Sequence, residues 1–501
     1  DLFINDNKQL SMTLHNSYKL SSPMNLKSAS YELPIELPRS SSKTAETITK
    51  RSDSFLRHYA CKTVSTARIK SKDLEMFLNE VSVMRTLDHP NIVQLYEIYS
   101  TWRKMWLITE LCYGGDLRSR DLDEIRVAHV MEQILQGVAH MHKLGICHGD
   151  LKLENVLYES PEPDSIIKII DFGLSQKFLA GEKMNKVCGT IYTVSPEVME
   201  CDLQNNGIRP ANSCLGYTES SDIWSIGCMA FILLSGGDYP FLKEDSDVMD
   251  VMELSKLLKG NYVFGPQWNI RNISNNAKNF IRGTLERIPE KRWSAIEALT
   301  FVKDEWISAL DVSKSPTVTK RKQPITLPLE VFRGMQSYAQ YGPLRKTILM
   351  AATRTMDKSM LTDLQELFLS MDHHHTGTLS MEDLKVAFVS YFEAIDVAID
   401  NMMDLEQIFA AVDSNHSGEV NYSEFLAAVS ESQGLITVER LQEAFHRIDT
   451  KGKGFISKND LRVLLGNDTN EDVISKMIEE VGSKDGNISY HEFLRLMLQD
   501  A

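Results

Sequence analysis

Residues 147–155 read Cys-His-Gly-Asp-Leu-Lys-Leu-Glu-Asn, and residues 169–173 read Ile-Ile-Asp-Phe-Gly. The polar residues that these stretches hold at fixed separations are Asp150, Lys152, Asn155 and Asp171. A carboxylate can orient a hydroxyl group, a lysine can neutralise a phosphate, and carboxylate and amide oxygens can hold magnesium. Phosphoryl transfer requires these types, because it depends on positioning and charge stabilisation more than on covalent help. The two stretches therefore predict a phosphoryl-transfer site.

The arrangement resembles the catalytic loop and the Asp-Phe-Gly loop of protein kinases. The resemblance implies that Asp150 is the catalytic base and that Lys152 lies beside the transferred phosphate. It also implies that Asn155 and Asp171 hold Mg²⁺. Lys152 is typical of the serine/threonine-specific form of this loop. Glu154 lies where kinases that prefer basic sequences carry an acid for a substrate arginine, which hints at protein substrates with basic motifs.

Composition places the chain among globular proteins and limits its partners. Its 501 residues are enough for about three domains, and 43% hydrophobic with 25% charged residues is typical of a folded, soluble protein. No run of about 18 apolar residues occurs, so we expect no membrane-spanning helix. The formal net charge of −15 argues against non-specific binding to nucleic acid and favours divalent cations at acidic clusters.

The chain has seven cysteines, at positions 61, 112, 147, 188, 201, 214 and 228. An odd number without closely spaced pairs predicts reduced thiols and a cytoplasmic location. The sequence begins at Asp1 rather than at a methionine, so an acylation signal could have been removed. We therefore expect a cytoplasmic protein that associates with membranes only if it is acylated at its N-terminus.

Shifts in composition divide the chain into four segments. A stretch rich in Ser, Pro, Thr and Lys covers 311–328, and a helical pattern follows it, broken at Gly342-Pro343. From residue 361 a repeat of roughly 37–41 residues runs to the end. The predicted segments are an N-terminal extension (1–30), a kinase domain (31–310), a junction (311–360) and a repeat domain (361–501).

Lys62 and Glu80 are the candidate residues for holding the phosphates of ATP. Lys62 lies in an alternating, strand-like segment, and Glu80 follows eighteen positions later in a helical pattern. A lysine and a glutamate at this separation are usually surface residues when they occur alone. Because these two precede the quoted stretches in the order that kinases show, we predict that Glu80 fixes Lys62 against the phosphates.

The apolar segment 106–112 predicts a strand that leads into the hinge between two lobes. The resemblance implies that the hinge backbone, at Glu110 and Cys112, binds the adenine of ATP. Farther along, Ser195-Pro196-Glu197 resembles the end of an activation segment, and Arg292 is placed to pair with its glutamate. The predicted fold is a two-lobed α+β kinase domain, with ATP and Mg²⁺ as cofactors.

Three departures from the kinase pattern leave two interpretations open. Gly149 replaces an arginine that normally binds a phosphate on the activation segment, so we expect no need for phosphorylation there. No glycine precedes Gly114, although glycines that cover the phosphates would fall near Ser40, Ser42 and Ala45. The segment before the helix that contains residues 127–130 is also short. Either residues are absent from this numbering, or the ATP site is degraded and the chain is a pseudokinase.

One segment of the repeat domain has every feature of an EF-hand calcium loop. Such a loop needs oxygens at positions 1, 3, 5, 7 and 12 and a glycine at position 6. Residues 413–424 meet this pattern, with Gly418 at the turn. The candidate Ca²⁺ ligands are Asp413, Asn415, Ser417, Glu419 and Glu424. We predict that this loop binds calcium.

The first repeat, residues 372–383, is a weaker version of the same loop. Its candidate ligands are Asp372, Thr376, Thr378 and Asp383. His374 occupies a ligand position but is a poor donor for a hard cation, and Asp383 is shorter than the usual bidentate glutamate. We therefore expect only weak binding of calcium or magnesium at this loop.

The third and fourth repeats depart further from the pattern. In residues 449–460 the ligand positions 3 and 5 are Lys451 and Lys453, and two ammonium groups should prevent cation binding. In the fourth repeat position 1 is Val481, although Glu492 keeps the register. We predict that both repeats are structural, so that at least two of the four EF-hands are degenerate.

A kinase domain, a helical junction and four EF-hands, in this order over about residues 31–498, resemble the calcium-dependent protein kinases of plants and apicomplexans. The resemblance implies a bilobal kinase followed by an all-α, calmodulin-like domain, with the junction inhibiting the kinase until calcium binds. The amphipathic junction could bind a groove of the kinase or an opened lobe of the repeats. We expect a calcium-regulated serine/threonine kinase. The alternative is a pseudokinase that serves as a calcium-responsive binding module.

Overall fold

The computed structural model gives defined positions to most of both predicted domains. It describes residues 26–28, 45–51, 56–65, 71–101, 103–179, 181–210, 214–241, 251–312, 329–353, 356, 361–394, 402–449, 452–465, 471–483 and 486–498. Within these ranges no helix has both the length and the apolar character that crossing a membrane requires. The predictions for Ser40, Ser42 and Lys451, and for the linker from 313 to 328, lie outside the described residues.

Five strands and one helix form the smaller lobe. They are β1 Leu26–Ser28, β2 Ala45–Arg51, β3 Leu56–Ser65, α1 Ser71–Thr86, β4 Leu95–Ser100 and β5 Lys104–Thr109. The sheet order is β1-β4-β5-β3-β2, with β1 parallel to β4 and the other neighbours antiparallel. Side chains alternate along β5: Met105 and Leu107 join the main core with α1, whereas Trp106 and Ile108 join a separate cluster.

The larger lobe is mostly helical. Its elements are α2 Glu124–Lys143, β6 Ile146–Cys147, β7 Val156–Tyr158, β8 Ile167–Ile169, β9 Gln176–Lys177, α3 Pro196–Asn205, α4 Ser220–Ser235, α5 Val251–Lys259, α6 Pro266–Ile270, α7 Asn275–Thr284, α8 Ala295–Phe301 and α9 Ser308–Val312. Asp123 caps α2 by accepting a hydrogen bond from the amide of Arg126. The helix α4 is buried nearly all round, with Trp224 fully buried in its second turn, and its first turn contacts the catalytic loop through Asp222. The predicted two-lobed α+β fold is confirmed.

The junction forms two helices, α10 Leu329–Gln340 and α11 Pro343–Thr353, and the predicted break at Gly342-Pro343 is confirmed. Their apolar residues, such as Met335, Tyr338 and Ile348, belong to one core with the repeats. The carboxylate of Glu480 accepts hydrogen bonds from the amides of Leu344 and Arg345 at the start of α11. In this structure the junction is therefore held by the repeat domain.

Four helix–loop–helix units follow. Their elements are α12 Thr362–Met371, α13 Met381–Ala394, α14 Met402–Val412, α15 Tyr422–Val429, α16 Val438–Ile448, β10 Phe455–Ser457, α17 Lys458–Leu465, α18 Glu471–Glu480, β11 Asn487–Ser489 and α19 Tyr490–Leu498. The loops pair two by two: Leu379 bridges Val420, and Ile456 in β10 pairs with Ile488 in β11. Each of these apolar residues is fully buried, so the pairs fix the loops of one lobe against each other.

The repeat domain packs against the kinase domain through polar contacts. Asp88, just after α1, accepts hydrogen bonds at 3.0 Å from the amide and the hydroxyl of Ser423. Arg447 of α16 donates to the hydroxyl of Tyr59 on β3 at 3.2 Å. Lys143, at the end of α2, contacts both loops of the first EF-hand pair. Calcium loops and kinase helices therefore share an interface.

The prediction that all seven thiols are reduced is wrong for one pair. Cys201 on α3 forms a disulfide with Cys214, and their Cα atoms lie 5.0 Å apart. The chain after α3 returns along the helix, where the amide of Cys214 donates to the side chain of Gln204. No pattern in the sequence indicates this return. The other five cysteines are not disulfide-bonded.

Candidate active site and calcium loops

Asp222, in the first turn of α4, holds the catalytic loop in place. Its carboxylate accepts hydrogen bonds from the amides of His148 at 2.8 Å and Gly149 at 2.9 Å, and it contacts the Nε2 atom of His142 at 2.9 Å. Burial opposes its charge, but the contacts with His142, His148 and Gly149 outweigh burial and hold the pKa of Asp222 below its usual value. The backbone that carries Asp150 is thereby fixed to the core of the larger lobe.

The predicted catalytic residues lie together in this loop. The Nζ atom of Lys152 lies 3.1 Å from Oδ2 of Asp150, and the side-chain amide of Asn155 donates to the backbone oxygen of Asp150 at 2.8 Å. Thr190 of the activation segment donates to Oδ1 of Asp150 at 2.6 Å and accepts from Lys152 at 3.0 Å. Thr190 therefore links the activation segment to the base, a role that the sequence pattern alone did not reveal.

Lys62, Glu80 and Asp171 form the second predicted group. The ammonium of Lys62 lies 2.7 Å from both carboxylate oxygens of Glu80 and 3.5 Å from Oδ1 of Asp171. Burial works against the charge of Lys62, but the two carboxylates outweigh it, so the pKa of Lys62 is raised. Asp171 has a left-handed backbone, with φ of 65°, and its side chain is 48% exposed. This conformation stores strain and turns the carboxylate toward the cleft.

The side chain of Glu110, in the hinge, is bound by neighbouring residues. The carboxylate of Glu110 is bound by the Nζ atom of Lys168 at 2.9 Å and by the amide of Gln94 at 3.0 Å, so its side chain is engaged within the protein. The backbone amide of Glu110 also donates to the backbone oxygen of Gln94, at 3.0 Å. Cys112 is half-buried two residues farther along. That the hinge backbone at Glu110 and Cys112 binds the adenine of ATP stays a prediction.

Gly149 requires its glycine for two reasons. Its φ is +74°, which side chains of L-residues rarely adopt. A Cβ atom there would lie 3.0 Å from the sulfur of Cys188 and 3.2 Å from the backbone oxygen of Leu174. Cys188 therefore fills the space beside Gly149, and an arginine could not be added without rearrangement. That the activation segment needs no phosphorylation stays a prediction.

The other two departures from the kinase pattern are the missing glycines near residues 40–45 and the short segment before α2. Ala45 lies in β2 opposite Lys62, and the positions 40–44 before it lie outside the described residues. The short connection to α2 is one tight helical turn, Leu117–Ser119, whose amides are capped by Asp116. Arg120 then donates to backbone oxygens of the segment 160–163. The connection is therefore packed against the lobe.

Glu154 pairs with a residue that the sequence pattern did not single out. Its carboxylate lies 2.5 Å from the guanidinium of Arg118 and accepts a hydrogen bond from the hydroxyl of Tyr192. The guanidinium also lies over the ring of Tyr192. The predicted anchor for a substrate arginine is thus already engaged by an arginine of the chain itself.

The strong EF-hand loop contains the oxygens that calcium requires. Asp413 accepts hydrogen bonds from the amides of Ser417 at 2.9 Å and Gly418 at 2.8 Å, and Asn415 accepts from the same amide of Ser417. Glu424 accepts from the amides of Ser414, Asn415 and Asn421. Burial raises the pKa of Glu424 against these hydrogen bonds. Hard oxygen donors from both ends of the loop therefore face its interior, which fits Ca²⁺.

The backbone oxygen of Glu419 contacts its own loop, whereas its carboxylate contacts the kinase domain. Its backbone oxygen, the atom that EF-hand loops use at position 7, accepts a hydrogen bond from the hydroxyl of Ser417. Its carboxylate instead binds the Nζ atom of Lys143 at 2.6 Å and the hydroxyl of Thr378 at 2.9 Å. The backbone of Glu419 thus suits calcium while its side chain contacts the kinase.

The carboxylates of the first loop, residues 372–383, are hydrogen-bonded to other groups of the same loop. Asp372 accepts hydrogen bonds from the amides of Thr376 and Gly377, and burial raises the pKa of Asp372 to about 6. Asp383 accepts from Nδ1 of His374 at 3.0 Å and from the amide and hydroxyl of Ser380. The imidazole of His374 is therefore hydrogen-bonded to the carboxylate at position 12, Asp383. This contact agrees with the predicted weak binding of calcium or magnesium.

The described residues of the third and fourth loops do not form a full set of oxygen donors for a cation. The ammonium of Lys453 lies 2.6 Å from Oδ2 of Asp460, so a side chain of the protein supplies the positive charge at that carboxylate. Val481 is buried at position 1 of the fourth loop, where a carboxylate would be needed, and Asp485 lies outside the described residues. The predicted structural role of both repeats stays a prediction that this geometry favours.

Comparison with known proteins agrees with these two sites. Residues 42–307 match the protein kinase domain family, and residues 361–430 and 438–498 each match the EF-hand domain pair. The chain is 32% identical to calcium-dependent protein kinase 4 of Plasmodium falciparum (isolate 3D7), over 91% of this chain and 84% of that protein. It is 31% identical to the protein of the same name from Plasmodium berghei (strain Anka), over 88% and 81%. It is 30% identical to calcium-dependent protein kinase 7 of Arabidopsis thaliana, over 88% and 77%. None of these similarities favours the pseudokinase alternative.

Proposed function

The chain belongs to the calcium-dependent protein kinases and is a calcium-regulated serine/threonine kinase, and we propose which of its residues perform and control the reaction. In this proposal Asp150 receives the proton of a serine or threonine hydroxyl while the γ-phosphate of ATP is transferred to that oxygen and ADP leaves. The single observation that carries the proposal is the position of Lys62. Its ammonium is 2.7 Å from Glu80 and 3.5 Å from Asp171, which is the arrangement that phosphoryl transfer requires.

Each residue of the catalytic loop has a distinct task in this proposal. Asp150 orients the hydroxyl group, because its carboxylate is held by Thr190 and Lys152. Lys152 stabilises the charge that develops on the transferred phosphate. Asn155 and Asp171 would hold Mg²⁺, which neutralises the charge of the phosphates when it is bound. Lys62 would bind phosphate oxygens while Glu80 keeps it in place.

Calcium control is proposed to act through the loop 413–424, with a weaker contribution from 372–383. The first has a full set of oxygen donors, whereas the second has His374 bound to its terminal carboxylate. The junction helices α10 and α11 share their core with the repeats. This supports a mechanism in which calcium-loaded repeats hold the junction and thereby keep it from inhibiting the kinase.

Two further proposals concern the setting of the reaction. The substrates are proteins. The sequence suggests from Glu154 that these proteins carry a basic motif, but the pairing of that carboxylate with Arg118 argues against it. We also propose a cytoplasmic location, with membrane association only after acylation. The five cysteines that are not disulfide-bonded support a reducing compartment, although the disulfide between Cys201 and Cys214 does not.

The test is a phosphate-transfer assay with the full chain, labelled ATP and a serine-containing peptide, in calcium and in chelator. We expect transfer in calcium and little in chelator. The variant Asp171→Asn should lose transfer while calcium binding at the repeats is kept, which shows that the protein is folded. Transfer by Asp171→Asn at the rate of the unchanged chain would contradict the assigned roles.

A further inference from the structure

Arg118 lies in the turn Leu117–Ser119, which follows the hinge along the chain. Its guanidinium contacts Glu154 at 2.5 Å and covers the ring of Tyr192, which lies on the activation segment. Tyr192 in turn donates its hydroxyl to the second oxygen of Glu154. The carboxylate that could receive a cationic side chain of a substrate is therefore contacted on both oxygens by groups of the same chain.

The position of Arg118 follows from the short connection before α2. Asp116 caps the turn Leu117–Ser119 by accepting hydrogen bonds from the amides of Arg118 at 3.0 Å and Ser119 at 3.1 Å. Leu117 is fully buried, so the turn cannot shift along the lobe. The backbone of Arg118 is thus fixed beside the catalytic loop, and its side chain needs only to extend to reach Glu154.

We infer that Arg118 takes the place of a substrate arginine, so that this kinase does not select substrates for a basic residue at the position facing Glu154. The inference rests on the proposed phosphate transfer to protein hydroxyls and concerns the specificity of the same site. Substrates with an uncharged residue at that position are accepted without displacing any group. A substrate arginine would have to displace Arg118 and would gain no net ion pair.

An arginine of the substrate can reach Glu154 when Arg118 is removed. The side chains of Arg118 and Glu154 are 33% and 30% exposed, so a substrate can approach the carboxylate from solvent. A guanidinium that binds a half-exposed carboxylate typically contributes about fivefold to tenfold to selection. Removal of Arg118 should therefore create a preference for arginine of this size.

The experiment compares kcat/KM for a serine peptide with alanines around the acceptor and for a series in which arginine replaces each alanine in turn. For the unchanged chain we expect a ratio near one, within about threefold, at the position that faces Glu154. In Arg118→Ala one position should gain about fivefold to tenfold in favour of arginine. In the double variant with Glu154→Gln that gain should disappear, because the carboxylate that attracts the arginine is gone.

Two further variants distinguish specificity from a change in fold or net charge. Arg126→Ala removes an exposed arginine at the start of α2 and should leave all ratios unchanged. Arg118→Lys keeps the charge and should gain less than Arg118→Ala. A strong arginine preference in the unchanged chain that Glu154→Gln removes, or equal ratios in Arg118→Ala, would overturn the inference while leaving phosphate transfer intact. Absence of transfer to every peptide would overturn both the proposed function and the inference.

Discussion

The Nζ atom of Lys143, at the end of the kinase helix α2, lies 2.6 Å from the carboxylate of Glu419 in the strong calcium loop. The same ammonium donates to the hydroxyl of Thr378 in the first loop at 2.8 Å. One kinase side chain therefore contacts position 7 of both EF-hand loops. Because Glu419 offers its backbone oxygen to the loop interior, this contact and calcium binding can occur together.

We predict that Lys143→Ala raises the calcium concentration needed for half-maximal kinase activity. The contact favours the docked arrangement in which the repeats hold the junction, so its loss should make calcium less effective. Lys143 and Glu419 are 29% and 35% exposed, so the effect should be modest, about twofold to fivefold. A calcium titration of phosphate transfer measures the shift.

The matched control is Lys256→Ala, which removes an exposed lysine from α5. It should leave the calcium midpoint unchanged. If Lys143→Ala lowered the midpoint, the docked arrangement would be the inhibited one, and the assignment made here would be reversed.

Calorimetric titration of the full chain with calcium should reveal one tight site, at 413–424, and at most one weaker site, at 372–383. One site loaded at a hundred times its Kd stabilises the bound state by about 2.7 kcal/mol. Moving a switch from 1:99 to 99:1 takes about 5.5 kcal/mol. The response is therefore expected to be partial unless the weaker loop contributes. Three or more tight sites would contradict the assignment of Lys453 and Val481 as blocking residues.

Gly149→Ala should lower stability more than Gly181→Ala does. Both glycines have positive φ, +74° and +85°, so both substitutions carry backbone strain of about 1–3 kcal/mol. Only at Gly149 would the new Cβ atom also meet Cys188 and Leu174, whereas nothing lies within 4 Å at Gly181. Urea unfolding of the two variants measures the difference. Equal losses would show that Cys188 does not fill the space beside Gly149.

Asp222 should make stability depend on pH in the acid range. Its pKa is lowered in the folded chain, so its charged form stabilises the fold above the usual value of 3.8 and this contribution is lost as pH falls through the lower, folded value. The stability advantage of the unchanged chain over Asp222→Asn should be constant above about pH 5 and shrink below about pH 4. Urea unfolding at several pH values measures it. An advantage that grows on acidification would contradict the ionised carboxylate.

The catalytic and calcium-binding residues could be predicted because their chemistry fixes residue types at short, fixed separations. Asp150, Lys152 and Asn155 lie on one loop, and the ligands of the strong EF-hand lie on another. Lys62 and Glu80 are farther apart, but the strand and helix that carry them have recognisable periodicities. In each case local structure brings the side chains together.

Contacts between distant segments could not be predicted in the same way. Lys143 and Glu419 are separated by 276 positions, and neither residue has a sequence feature that marks the other as its partner. Arg118 reaches Glu154 because a short, capped turn fixes its backbone, which composition does not reveal. The strand Leu26–Ser28 pairs with β4 although the residues before position 31 read as an extension. Tertiary packing decides all three.

The most direct measurement is the rate of phosphate transfer from ATP to a serine peptide as free calcium is raised, for the full chain and for Glu424→Gln. We predict that transfer by the unchanged chain rises with calcium and that Glu424→Gln, which loses the bidentate ligand of the loop 413–424, stays near its rate in chelator. Full transfer by the unchanged chain in chelator, or an unaltered calcium response of Glu424→Gln, would contradict it.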